Sequence, residues 1–417
     1  MRHNAAGYAG NPIIRTPHLD ALASRSMVFE NCFVTTSICC SSRASIMTGL
    51  HTLQHGVYDF AQSLQDKHLE TMFPALLRSS GYHTGIIGKW GIGSLPEGFF
   101  DRMMAYSGQG GQYRKRGGHL TDIQTGQALD FLATRPADRP FLLIVAFKAA
   151  HDPLQPQERF SSLYRDAQIP RALSDPAHPH SPTINLPRLL RNHSLHMQKY
   201  ENILGTPRRY QRVMRKYYQV LTGMDDSIGA ILAEVRRLGL DDDTAVLFTS
   251  DNGHLHGEHG LYGKSYMYEE SIRVPLLIAP ARAFAPRFTP RATSVIALNT
   301  DIAPTLLALA HYHAAPSTHG IDLLPHILRG HSVLRNSFYY QGPRLGPHKV
   351  YCDGYRTAEW KYVRYVTHDG ADSEECLYYL RNDGGELTNL AALRPYEPVL
   401  GELRRASATE RERISAA

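Results

Sequence analysis

Cysteine is scarce in this chain. The 417 residues contain five, Cys32, Cys39, Cys40, Cys352 and Cys376, and an odd number clustered toward one end excludes a disulfide framework. Adjacent cysteines such as Cys39 and Cys40 do not readily pair with each other, and no CxxC or Cys/His spacing marks a zinc site. Long apolar runs are also lacking. The longest, FLLIVAF at 141–147, is far too short to cross a bilayer, so no membrane span is expected. The opening residues MRHNAAGYAGNP carry no apolar core of a secretory signal. Internal repeats and low-complexity tracts are absent, and Gly and Pro, though abundant, follow no period.

What is present is ordinary for a soluble globular protein, with 42% apolar and 20% charged residues. The net charge of +6, with 22 histidines in reserve, suits an anionic substrate. It would suit nucleic acid equally. The basic residues are dispersed, however, and clusters such as RVMRK and GELRR (Arg404 and Arg405) read as solvated helix faces, so no nucleic-acid partner is expected.

The length exceeds what one core usually supports, which predicts one large and one smaller domain. Up to about residue 330, helical and strand signals alternate, the pattern of an α/β fold with a largely parallel sheet. TPHLDALASR opens a helix with Thr16 as cap and Pro17 first in the helix. TMFPALLRSSGYHTGIIGKW reads as a helix stopped near Gly81 and a short strand ending at Lys89. LTDIQTGQALDFLATR is an amphipathic helix, and a long helical pattern runs from Arg209 to Leu238 with Gly239 as its stop. FLLIVAF, TAVLFTS and VPLLIAP read as buried strands. Residues 153–205, rich in Pro, His and Arg, read as substrate-facing loops. SFYYQG, HKVYCDG, TAEWKYVRYV and ECLYYL predict a small antiparallel sheet followed by a helix. The expected division is a catalytic α/β unit over 1–334 and a small C-terminal α+β unit over 335–417.

Ligands of open α/β sheets sit beyond the carboxyl ends of the strands, so the polar residues just after each apolar run are the candidates. These are Lys89 after GIIG, Lys148 and then His151 and Asp152 after FLLIVAF, and Asp251, Asn252 and His254 after TAVLFTS. Lysine, histidine, aspartate and asparagine on one rim would make a site for an anion and a hard cation. Cys39 and Cys40 remain either buried thiols or a reactive position at this point.

With these residues in hand, the chain resembles the sulfatase family, whose fold belongs to the alkaline-phosphatase-like superfamily. The family hallmark, Cys-x-Pro-Ser-Arg followed by Thr-Gly, is matched by Cys39 to Gly49 (CCSSRASIMTG) except at the proline position. GNPIIRTPHLDALASRSMVFENCFV, GYHTGIIGKWGIG, AAHDPLQP, LFTSDNGHLHGEHGLYGKSYMYEESIRVPLLI, IDLLPHILRG, WKYVRY and ECLYYLRNDGGELTNLA resemble family blocks in the right order.

The resemblance implies that Cys39 is the precursor of formylglycine, made by a formylglycine-generating or equivalent maturation enzyme, and that Cys40 is a bystander. A helix N-terminus would favour charge at position 39, and Arg43, four residues on, lies on the same face. Lys89 and Lys264 are implied to bind the sulfate, and His151 to assist the leaving oxygen. Asp251 and Asn252 are implied as ligands of Ca2+, with Mg2+ or another divalent cation as substitutes. His254 is implied to line the pocket, with a structural role as its alternative. The implied reaction is hydrolysis of a sulfate monoester on a sulfated small molecule or glycan.

Three departures from the family pattern stand out. Ser41 replaces the hallmark proline, Gly91 stands where members carry a histidine that helps expel sulfate, and the only Asp ahead of Cys39 is Asp20, inside a helix. Family members begin with a strand ending in paired aspartates, so the expectation is that the natural chain starts earlier and that the metal site as written is half built. Two alternatives follow. One is an impaired sulfatase-like protein that binds sulfated ligands, and the other is a phosphoester or phosphonate hydrolase of the same superfamily.

Overall fold

The computed structural model describes residues 1–182, 186–312, 314, 316–330, 334–344 and 350–416. In chain order the elements that build the site are α1 (Pro17–Ala23), β1 (Met27–Phe33), α2 (Cys39–Thr48), β2 (His83–Lys89), β3 (Arg102–Tyr106), α3 (Leu120–Thr134) and β4 (Phe141–Ala146). They are followed by α4 (Pro207–Arg237), β5 (Val246–Thr249), β6 (Arg273–Val274), β7 (Leu276–Ala279) and β8 (Arg291–Leu298). The C-terminal part carries β9 (Ser337–Gln341), β10 (Val350–Thr357), β11 (Trp360–Thr367), β12 (Ser373–Tyr379) and α5 (Glu397–Ala416).

The sheet is mixed and falls into two groups of strands. In the first, β3 and β4 flank β2 in parallel, with Gly85 opposite both Arg102 and Leu143. In the second, β1 is central: β8 pairs with it in parallel, while β6 and β7 pair antiparallel, and β5 extends the sheet antiparallel to β7 with Thr249 opposite Leu276. VPLLIAP is a buried strand as expected, with all four residues of β7 inside. FLLIVAF and TAVLFTS are strands, yet every residue of β4 and β5 is only half-buried. The physical reason is one cavity of about 1920 Å³ lined by residues of both β4 and β5, together with Leu132 of α3 and Val235 of α4. Among the described residues β4 pairs only with β2 and β5 only with β7, so each turns an unpaired edge toward this cavity.

The helices follow the apolar spacing. α4 lays Tyr210, Met214, Tyr217, Leu221, Met224, Leu232 and Val235 inside, the i, i+3, i+4, i+7 stripe of a helix packed on one face. α1 starts at Pro17 after Thr16, but the Thr16 hydroxyl accepts the Gly7 N–H at 2.8 Å rather than capping its own helix. Between 153 and 205 the chain is irregular to about residue 187 apart from a short 3-10 turn at Glu158–Phe160, with 183–185 outside the described residues. Two helices then appear, Arg188–His193 and Leu195–Leu204, the second started by the Ser194 side chain accepting the His196 N–H at 3.2 Å. The Ser194 cap was the missed start signal.

The C-terminal sheet runs β9-β10-β11-β12, all antiparallel, with α5 packed on it. His348 and Lys349 of HKVYCDG lie outside the described residues. A fully buried ionic network ties this sheet to the chain beneath it. Arg356 and Lys361 both reach Glu269, at 2.9 and 2.8 Å, and Lys361 also reaches Glu386 at 2.7 Å. Each charge in it is paired, the condition under which buried ions are tolerated.

Candidate active site

The carboxyl ends of β2, β4 and β5 and the start of α2 meet at one end of the cavity. Lys89 ends β2, His151 follows β4, Asp251 and Asn252 follow β5, and Cys39 is the first residue of α2. α2 can pack this tightly because its first turns are small: Cys39, Cys40, Ser41, Ser42, Ala44 and Ser45 are all buried. Its cap residue, Ile38, has no side-chain acceptor, so the amides of Cys39, Cys40 and Ser41 have no intrahelical carbonyl, and the N-terminus keeps its partial positive charge.

Cys39 is 1% exposed, and its Sγ accepts from Nζ of Lys264 at 2.8 Å. The same ammonium donates to Oδ1 of Asn252 at 3.0 Å. Arg43 donates from Nε to Oδ2 of Asp251 at 2.8 Å and from Nη1 to the carbonyl of Lys89 at 2.6 Å. Arg43 thus acts on Cys39 through charge, not through a direct bond. Lys89 donates to Oε1 of Gln109 at 2.7 Å, and Lys148 donates to the carbonyls of Gln109 and Asp152 at 2.9 and 3.0 Å. His151 stands at the rim with Nδ1 2.8 Å from the Asp152 carbonyl.

Positive groups outnumber carboxylates here, and ionisation follows. Burial works to raise the Cys39 thiol, but Lys264, with Lys89 and Arg43, outweighs it and holds the thiol below its ordinary value. Burial likewise opposes ionisation of Asp251, and Arg43, Lys89 and Lys264 overcome it, keeping the carboxylate charged well below the usual range. Burial and then Lys264 push His151 down to about 4, so its ring is neutral at pH 7. Burial and Lys89 bring Lys148 down to about 8. Cys40 behaves oppositely. It packs in an apolar cluster with Ile38, Ala44, Met47 and Trp90, and burial raises it to about 11.

Cys39, Arg43, Lys89, His151, Asp251, Asn252 and Lys264 lie around this end, with His254 one layer behind. It is buried, its ring centroid is 4.5 Å from that of His256 and 4.8 Å from that of Tyr262, and its Nδ1 has no hydrogen-bond partner among the described residues. Ser41 turns its hydroxyl away to the Val57 carbonyl at 2.7 Å. Gly91 has φ +71°, and a Cβ there would meet Cε of Lys89 at 2.9 Å and Cδ of Arg43 at 3.2 Å, so a side chain at 91 would displace both cations. Asp20 is occupied far from the site, accepting from Tyr8 N at 2.7 Å and Thr16 Oγ1 at 3.1 Å. Gln109 was missed by sequence reasoning. Its only signal was the glycine-rich stretch SGQGG after a strand.

Asp251 and Asn252 are hard oxygen donors beside Cys39, and both already carry cationic groups, Arg43 and Lys264, as stand-ins for positive charge. They fit a divalent cation in kind. No group of three or more His, Cys, Asp or Glu that could hold a metal ion occurs among the described residues.

The Sulfatase family model matches residues 1–312, and the model for the C-terminal part of N-sulphoglucosamine sulphohydrolase matches residues 257–413. The chain is 27% identical to N-acetylglucosamine-6-O-sulfatase of Bacteroides thetaiotaomicron, covering 95% of this chain and 81% of that protein. It is 30% identical to choline-sulfatase of Rhizobium meliloti, covering 93% of this chain and 79% of that protein. A solved structure in complex with its substrate D-glucosamine-2-N,6-O-disulfate superposes with a TM-score of 0.84 at 24% identity, covering 100% of this chain and 96% of the other. Phosphonate monoester hydrolase of Agrobacterium radiobacter shares the fold with a TM-score of 0.81 at 19% identity, covering 99% of this chain and 94% of the other. The fold is the alkaline-phosphatase-like one, and the chain belongs to the sulfatase family.

Proposed function

We propose that the protein hydrolyses a sulfate monoester, with residue 39 as the nucleophilic position and a sulfated sugar as the substrate class. The observation that carries this reading is the convergence of Lys264, Lys89 and Arg43 around Sγ of Cys39, three fixed cations where a doubly bonded, charge-bearing sulfate would sit. Sulfated-sugar relatives support the substrate class.

Each side chain then has a task. Lys264 holds the atom at position 39 and lies within reach of the oxygens of a sulfate in attack position. Lys89 and Lys148 meet charge on the other oxygens. Arg43 fixes Asp251 and the end of β2, so that the cations keep their spacing. His151 faces the leaving oxygen; burial, and after it Lys264, depress its ring, and an anion bound among the lysines would favour the protonated form that donates as general acid. A formylglycine at position 39, supplied by a maturation enzyme, would contribute a hydrated-aldehyde oxygen as nucleophile. A divalent cation held by Asp251 and Asn252 would lower that oxygen's pKa.

The test is turnover of an aryl sulfate, an aryl phosphate and 6-O-sulfated glucosamine by the protein made in a host that matures such cysteines, with and without added Ca2+. Sulfate release from the first and third supports the reading. Faster cleavage of the phosphate ester would favour the phosphoester alternative, and binding of sulfated glucosamine without release would favour the impaired one.

A further inference from the structure

Lys89 is 3% exposed, and the only hydrogen bond of its ammonium among the described residues is to Oε1 of Gln109 at 2.7 Å. An ammonium has three protons to donate, so two are not taken by protein acceptors among the described residues, and Lys89 lines the cavity. Gln109 supplies a neutral dipole and leaves the charge of Lys89 uncancelled. Its own side chain makes no other hydrogen bond among the described residues.

The backbone around Gln109 is fixed independently of its side chain. The Gln109 carbonyl accepts from Lys148 at 2.9 Å, and the Gly110 carbonyl accepts from Lys115 at 2.8 Å. Gly110 sits at φ +78°, and a Cβ there would meet the Tyr106 ring at 2.9 Å, so this turn needs glycine. The frame is therefore anchored, and Gln109 lines the cavity.

We propose that the Gln109 side chain is a positioning residue that parks the Lys89 ammonium in the free protein and is displaced from it by an incoming sulfate oxygen. This rests on the reading of the site as a sulfate site. It assigns Gln109 the task of occupying the Lys89 ammonium in the free protein, in competition with sulfate and without neutralising its charge. The exchange replaces a neutral acceptor by a charged one, and charge-assisted hydrogen bonds are the stronger kind.

The experiment measures the affinity of inorganic sulfate for the full 417-residue chain by calorimetry in a low-chloride buffer, for the wild type, Gln109→Ala and Gln109→Glu. Removing the competing acceptor in Gln109→Ala tightens sulfate binding by about threefold to tenfold. The near-isosteric Gln109→Glu places a carboxylate on Lys89 and weakens binding by about tenfold or more. Tighter binding in Gln109→Ala together with weaker binding in Gln109→Glu supports the proposal, and the reverse pattern overturns it. Weaker binding in both, as for a merely structural residue, overturns it, and so does unchanged binding in either. Absence of sulfate binding in all three proteins would overturn the sulfate-site reading itself and this inference with it. Wild-type binding with unresponsive variants would overturn only the role of Gln109.

Discussion

Nζ of Lys264 lies 2.8 Å from Sγ of Cys39 and 3.0 Å from Oδ1 of Asn252, so one ammonium joins the N-terminus of α2 to the loop after β5. On the proposed reading, the substrate group closest to position 39 lies against Lys264. Lys264→Ala should lower kcat for sulfate-ester hydrolysis by about a hundredfold to a thousandfold, the scale of losing one fixed donor at developing charge. Steady-state kinetics on a chromogenic aryl sulfate reads this. A change confined to KM would assign Lys264 to ground-state binding alone.

The paired cysteines should separate cleanly. Cys39→Ser, expressed in a host that leaves the serine unmodified, should abolish turnover. Cys40→Ala removes a buried thiol from an apolar cluster and should cost about 1 kcal/mol of stability while leaving kcat within about twofold. Thermal denaturation and initial rates measured on the same preparations distinguish the two.

Gly91 is held at φ +71° against Lys89 and Arg43. Gly91→Ala should lower kcat/KM by about tenfold or more, because its Cβ moves both cations, and it should also cost roughly 1 kcal/mol of backbone strain. Gly91→His should not improve turnover. A gain in rate from the histidine would show that the turn accommodates a side chain after all.

Acid should destabilise the fold before it protonates the carboxylates. Burial brings His51, His55 and His256 each down to about 3, below the unfolded value of 6.5. Between pH 6.5 and 3 the unfolded chain then binds more protons than the folded one. The stability from neutral burial is complete above pH 6.5 and is lost progressively as pH falls. Tm at pH 5 should lie about 5 °C or more below Tm at pH 7.5. An unchanged Tm over that interval would contradict the buried, neutral assignment of these rings.

Much of this site could be read from the sequence because its residues follow strands. Lys89, His151 and Asp251 each stand just past an apolar run, where α/β topology places ligands, and the hallmark spacing placed Cys39 and Arg43 on one helix. Gln109 was not legible, because its role comes from a loop that returns over β2 and depends on a contact with Lys89, twenty residues away in sequence. The half-burial of FLLIVAF and TAVLFTS was also hidden, since an all-apolar strand reads the same whether its edge meets a partner or a cavity. Helices at 188–204 were obscured by the Pro- and His-rich stretch before them, although Ser194 marked the start of one.

The central claim is that position 39 carries the reacting atom. The most direct test couples the mass of the peptide containing Cys39, from protein made in a host that matures such cysteines, to sulfate release by the same sample. An aldehyde in place of the thiol, in a fraction that rises in proportion to the rate of sulfate release, is the predicted result. Hydrolysis at full rate by a protein whose Cys39 is an intact thiol throughout would contradict it.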